Sequence, residues 1–348
     1  MVKQQELNLN VPLDAQTKPT LSTTSLRPDL SEASLNLHGD YFRQLQSKLN
    51  RHVFWHPFSV LFILVTTIGY LIFKIYDYIE LSNSLGDFFQ YLKKSNDMKY
   101  QITTIFPILV MTFGVVGIST YLISDEFKAI SDSLTGKEQI EELYGFDLVK
   151  FAKLPSKNKE ALSPKELKLL KNGDNTHIIT YRESPIAIIT LKLLPEKSTA
   201  STFYVLITSL NVRKVFAKVD FDKLLLDWAV LRSRQLFEEN TKGKYDSEGC
   251  KIYITAQAYS FDKDFVKTLK NNHFGLIKES YELSPFLNAP KEGLLTQSIH
   301  KAFGIKRYVY GLTITTKSAD NDKLLNAANN SSLLKNGTNN NNSIRKRK

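Results

Sequence analysis

Two runs of this chain carry no formal charge: Val53 to Phe73, VFWHPFSVLFILVTTIGYLIF, and Ile102 to Ile123, ITTIFPILVMTFGVVGISTYLI. They are 21 and 22 residues long. A helix needs about 20 apolar residues to cross about 30 Å of hydrocarbon, so each run is long enough to span a bilayer. A core helix of a water-soluble domain would carry a polar stripe, which both runs lack. Trp55 opens the first run, Tyr70 and Tyr76 stand near its end, and Tyr121 near the end of the second. Those are places where aromatic rings meet lipid headgroups. The first run begins too far into the chain for a cleaved signal peptide. The connection from Lys74 to Gln101 is short, so the runs predict a transmembrane hairpin with both flanking segments on one side.

Composition averages hide this. The 348 residues are 42% hydrophobic with a net charge of +11, which alone would suggest a soluble basic protein. By region, residues 1–124 carry a net +1, 125–316 a net +5 and 317–348 a net +5. Nearly half of the charge therefore lies in an Asn-rich end closing in RKRK. The rest shows no basic stripe interleaved with aromatics, so nucleic acid is not an expected partner. The lysine and arginine count around the spans is close to balanced and leaves the orientation open. The lone Cys250 forms no internal disulfide, and it and the basic C-terminus favour a cytosolic end. The tail sequons at Asn329, Asn330, Asn336 and Asn341 would be glycosylated if they were lumenal.

The reading along the chain is a flexible N-terminal segment over 1–37, an amphipathic juxtamembrane helix over 38–52 and the hairpin over 53–123. An α/β domain over 124–316 and a disordered basic tail over 317–348 follow. In the juxtamembrane helix Tyr41, Phe42, Leu45 and Leu49 share a face, which suits either a lipid surface or the protein's own domain. DFFQYL, 87–92, predicts a short helix at the far membrane surface. In the α/β domain, 138–153 begins as a helix and THIITYRESPIAIITLKLL, 176–194, reads as a hairpin turning at Glu183, Ser184 and Pro185. A strand over 203–212 precedes a helix over about 220–237, with Phe221, Leu224, Leu225, Trp228 and Leu231 on one face. A strand at 251–256, a helix at 262–272, and strands at 274–283 and 307–315 complete the order.

Sites for chemistry are few. There is no Gly-rich phosphate loop, nucleophile elbow or Cys/His metal spacing. His52 and His56 are four apart but have no third ligand, so no metal is expected. The spans lack ionisable residues at mid-depth, which argues against a transporter. Gly114, Gly117 and Ser119 give the second span small residues for helix contact, within the hairpin or with another membrane protein.

The order hairpin, strand, helix, strand, helix, strand, strand resembles the GCN-five-related acetyltransferase fold, most clearly over 176–283. That resemblance implies that the loop after the third strand would hold the pyrophosphate of coenzyme A, through an Arg/Gln-x-x-Gly-x-Gly/Ala pattern. Here the loop reads VRKVFAKVDFDKLLL, 212–226, without a glycine. Lys218 lies in it, and Asp220 and Asp222 stand where the N–H cradle should be. Their charge would repel a pyrophosphate. The reading is a degenerate loop with no cofactor and no catalytic residues. His273-Phe274 stands where the resemblance implies Gly-Phe.

NVPLD (10–14), KPTLS (18–22), LQSKLNRHVFWHPFSV (45–60) and YDYIELSNSLGDFF (76–89) resemble a fungal family of endoplasmic-reticulum membrane proteins that package the high-affinity inorganic phosphate transporter for exit. The resemblance implies a non-enzymatic chaperone of a polytopic client, a multi-pass protein with both termini cytosolic, and vesicle coat components among its partners. The competing expectation is a membrane-anchored N-acetyltransferase using acetyl-CoA.

Overall fold

The computed structural model of the chain describes residues 21–155, 163–182, 184–199, 201–240, 250–286 and 293–315. NVPLD, the first residues of KPTLS, Glu183 and the basic tail with its sequons lie outside the described residues.

In chain order the elements are β1 (Leu21–Ser25), α1 (Ser31–Phe54), α2 (Pro57–Glu80), α3 (Leu85–Lys94), α4 (Asn96–Thr103) and α5 (Ile105–Ser133). Then come α6 (Lys137–Tyr144), α7 (Leu148–Ala152), α8 (Pro164–Asn172), β2 (Thr176–Tyr181), β3 (Ser184–Leu193) and β4 (Thr202–Val212). The chain closes with α9 (Phe221–Asn240), β5 (Lys251–Tyr259), α10 (Lys263–Asn271), β6 (Gly275–Ser280), α11 (Leu294–Ala302) and β7 (Arg307–Thr315). Among the described residues the strands form one mixed sheet of order β1-β2-β3-β4-β5-β7-β6. The chain divides into two compact units.

The first unit draws on Met1–Leu37, Leu143–Tyr253 and Thr313–Lys348. Its core is the antiparallel run β1 to β4. Pro185 to Leu191 of β3 are all buried, and PIAIITL is the continuous apolar run that a strand covered on both faces requires. Helix α9 packs on β3 and β4 and buries Phe221, Leu225, Ala229, Ser233, Leu236 and Phe237. That stripe is rotated from the expected one. Small Ala229 and Ser233 let the helix approach the sheet, while Trp228 stacks on the His177 ring, 4.7 Å between centroids. Near the end of α9, the Arg232 guanidinium donates to Asn175 Oδ1 (3.2 and 3.0 Å), Gln235 Oε1 (3.1 Å) and Glu239 Oε1 (3.0 Å). Lys171 also pairs with Glu239 at 3.1 Å.

Part of the segment expected to be flexible is structured here. Residues 21–25 pair with β2 from Leu21↔Tyr181 to Ser25↔His177, and Leu26 N–H donates to Thr176 O at 3.0 Å. LSTTS has little apolar alternation of its own; its strand form comes from the partner. Gly173 is required beneath it, because a Cβ there would lie 2.8 Å from Leu26 O and 2.9 Å from the Phe151 ring.

The second unit takes His38–Glu142 and Ile254–Leu312. Here α1 buries His38, Phe42, Leu45, Leu49 and Val53, spaced three or four apart. Of the two surfaces open to this face in the sequence, the protein itself covers it. Phe42 meets Phe286 at 6.2 Å, Lys48 Nζ pairs with Asp262 Oδ2 at 2.7 Å, and His52 Nε2 lies 3.1 Å from Phe303 O.

The first apolar run is not one helix. Pro57 has no N–H to donate, and its ring excludes the carbonyl four residues back, so α1 stops at Phe54 and α2 starts at Pro57. His56 caps α2, its Nδ1 accepting from Phe58 N–H at 3.3 Å. Helix α2 then continues past Phe73 to Glu80, and α5 past Ile123 to Ser133. Helices α2 and α5 pack on each other. Pro57–Glu80, and Asn96–Ser133 counting α4 and α5 together, are long and apolar enough to cross a membrane, and only 11% of each apolar window is buried. At its end α5 enters the packing of its own unit. Phe127, 0% exposed, meets Tyr259 and Phe261 edge-on at 5.0 and 5.7 Å. Full burial of such a ring contributes about 1.5–3 kcal/mol.

Candidate functional site: a closed loop and an open helix flank

The loop between β4 and α9 is the first place the sequence singles out. It leaves the sheet through Arg213, whose N–H donates to Ile186 O at 2.9 Å. A tight turn follows at Lys214–Phe216. Phe216 N–H then donates to Arg213 O (2.8 Å), Ala217 N–H to Lys214 O (3.3 Å) and Val219 N–H to Phe216 O (3.0 Å). Three backbone donors that could face an anion are thus bonded inside the loop. Asp220 precedes α9 with φ of 51°, a left-handed conformation that favours glycine, and its carbonyl accepts from Leu224 N–H at 3.4 Å. Lys218 and Asp220 are exposed and Asp222 is half-buried. The three residues lie along one short segment, two of them acidic, and form no cation-lined cradle.

The second place is the middle of α5. Its buried residues there are Thr112, Val116 and Thr120, followed by Ser124, every fourth residue. The Thr112, Thr120 and Ser124 hydroxyls donate to carbonyls of their own helix at 3.0, 2.7 and 3.0 Å. Gly114 and Gly117 lie off this stripe: a Cβ on either would meet no atom within 4 Å. At about 100° per residue, Ser119 falls on a different flank from the two glycines, so the structure brings Gly114 and Gly117 together and leaves Ser119 apart. The Thr-Val-Thr stripe was missed in the sequence, although its four-residue spacing is visible there.

His52 and His56 lie 5.7 Å apart between ring centroids, yet each is engaged in its own unit, His52 with the Phe303 carbonyl and His56 as the cap of α2. Among the described residues no group of three His, Cys, Asp or Glu side chains could hold a metal ion.

These features define a class: a mixed seven-stranded α/β protein bearing two long apolar helices. Solved structures similar to it include Arabidopsis thaliana NAA60 with a bisubstrate analogue, at 14% identity over 43% of this chain and 83% of that one, TM-score 0.30. The NatC complex bound to Gag peptide and CoA is similar at 15% identity over 52% and 92%, TM-score 0.29. Arabidopsis thaliana Naa50 with a bisubstrate analogue is similar at 15% over 53% and 93%, TM-score 0.28. No curated protein matches the chain in sequence. The family model described as inorganic phosphate transporter chaperone Pho86 matches residues 3–314, and the chain belongs to that family.

Proposed function

We propose that the chain is a membrane-anchored, non-enzymatic chaperone that holds a polytopic phosphate transporter in the endoplasmic reticulum and readies it for exit towards the plasma membrane. Helices α2 and α5 form the anchor. The glycine flank of α5, at Gly114 and Gly117, meets client helices. The α/β part lies in the cytosol, where client loops or vesicle coat components can reach it.

The observation that carries this reading is the exposure of the two apolar helices, 11% buried in each window, in a chain of the phosphate transporter chaperone family. In water such helices would expose large apolar area; lipid and client helices remove it. Hydroxyls satisfied within α5 and the absence of charge at mid-span suit helix contact better than solute passage. The pairing of β1, before the hairpin, with β2, after it, supports both flanking segments lying on one side. The internally bonded loop at Phe216, Ala217 and Val219 supports a non-catalytic role.

The test is deletion of the gene. The phosphate transporter should accumulate in the endoplasmic reticulum while other plasma-membrane cargo leaves normally, and unimpeded transporter delivery would sink the proposal. Titration of the full chain with acetyl-CoA should give no heat; saturable binding would reverse the non-enzymatic reading.

A further inference from the structure

One exposed feature is unused by the role above. Val215 stands at the tip of the β4–α9 loop with 87% of its surface exposed, and Val219 with 41%. Arg213, Lys214 and Lys218 beside them are exposed, as is Arg182 in the β2–β3 turn. The two loops are fixed to each other: Tyr181 and Phe216 are 5.8 Å apart between ring centroids, and the Arg182 guanidinium lies over the Tyr181 ring at 5.5 Å. Asp220 and Asp222 oppose these cations, but with Lys223 the segment 212–226 still carries a net +2.

The geometry points to a lipid-docking loop: Arg182, Arg213, Lys214 and Lys218 bind the headgroups of an anionic bilayer while Val215 and Val219 enter the headgroup layer. Charge complementarity selects the lipid. Cations set around a protruding apolar tip match a surface whose outer layer is anionic and whose next layer is apolar. The internal turn keeps Val215 out, 87% exposed among the described residues, so the apolar tip is preorganised. Docking rests on the membrane-anchored reading in one respect, that the anchor keeps a bilayer at high effective concentration.

The test uses the full chain reconstituted in phosphatidylcholine liposomes, with or without phosphatidylserine. Val215→Cys carries an environment-sensitive dye in a Cys250→Ser background; Cys250 is itself buried. Dye emission should shift to the blue, and nitroxide lipids should quench it, only in the anionic bilayers. A cation near such a surface contributes about 1 kcal/mol, or about fivefold, so Lys214→Glu with Lys218→Glu should lower the docked-to-free ratio more than about tenfold. Equal emission in the two lipids, or docking that survives the charge reversal, overturns the proposal. So does a dye shielded only on adding an acidic client segment. Alkaline extraction of the same liposomes tests the anchor separately. A chain that extracts refutes the anchored reading, while the blue shift of the Val215→Cys dye on adding anionic vesicles to that chain still reads the loop.

Discussion

His273 holds a place built for a residue without a side chain. It follows α10 with φ of 65°, and its N–H donates to Lys270 O at 3.0 Å while Phe274 N–H reaches back to Leu269 O at 3.0 Å. That pair of bonds closes a helix in the Schellman manner, where glycine is preferred. His273→Gly should therefore raise stability by about 1 kcal/mol, read as a shift in the urea midpoint of the detergent-solubilised chain. The resemblance to the acetyltransferase fold implied Gly-Phe where this chain has His273-Phe274; the left-handed backbone at that point was not legible in the sequence. Two other histidines set an acid limit. Burial lowers the His38 pKa to about 3 and the His177 pKa to about 4. The unfolded chain protonates both rings near pH 6.5, so the stability they permit is complete above that value and falls as pH drops towards 4 and 3. By pH 5 each should cost roughly 2 kcal/mol. Urea titrations at pH 7 and pH 5 check this, and His177→Gln should flatten the slope.

At the scale of elements, the helices most easily read were those defined by composition alone. The apolar runs give α2 and α5 because no charge interrupts them, and Pro57 marks where the first is broken. The face of α1 was legible but its partner was not, because lipid and a protein core ask for the same stripe. Helix α8 was missed although it carries a local signal: Ser163 and Glu166 form a reciprocal capping box, Glu166 Oε2 accepting from Ser163 N–H at 2.8 Å. Strand β1 left no such trace, since pairing alone makes it. Gly173→Ala tests that pairing. The added methyl meets backbone at Leu26, so it should destabilise the chain by about 1–3 kcal/mol and speed proteolysis before Ser31. Within the hairpin, Thr67 Oγ1 is buried without a hydrogen-bond partner. Thr67→Val removes the unmet hydroxyl at equal size and should raise the melting temperature in detergent, by about 1 kcal/mol of stability.

For the whole molecule, the pairing from Leu21↔Tyr181 to Ser25↔His177 supports the proposed placement of both hairpin flanks in one compartment. The predicted topology follows. A glycosylation sequon engineered into the α3–α4 region should be modified in membranes, while the natural sequons from Asn329 to Asn341 should not. Modification of the tail instead would invert the orientation. The mixed sheet was largely legible, because β-rich runs and amphipathic helices alternate over 176–315. The loop at 212–226 was legible in what it lacks, its glycines, and opaque in what it presents, since exposure of Val215 depends on a turn that no residue pattern announced.

The sheet's first strand is made well before its neighbour, with both apolar helices translated in between. In the proposed topology, β1 stays unpaired until β2 has emerged on the same face of the bilayer. A hairpin with only one helix inserted would strand β1 and β2 in different compartments and leave β2 with a bare edge. In the proposed topology, folding of the α/β part would therefore follow only full insertion of the hairpin.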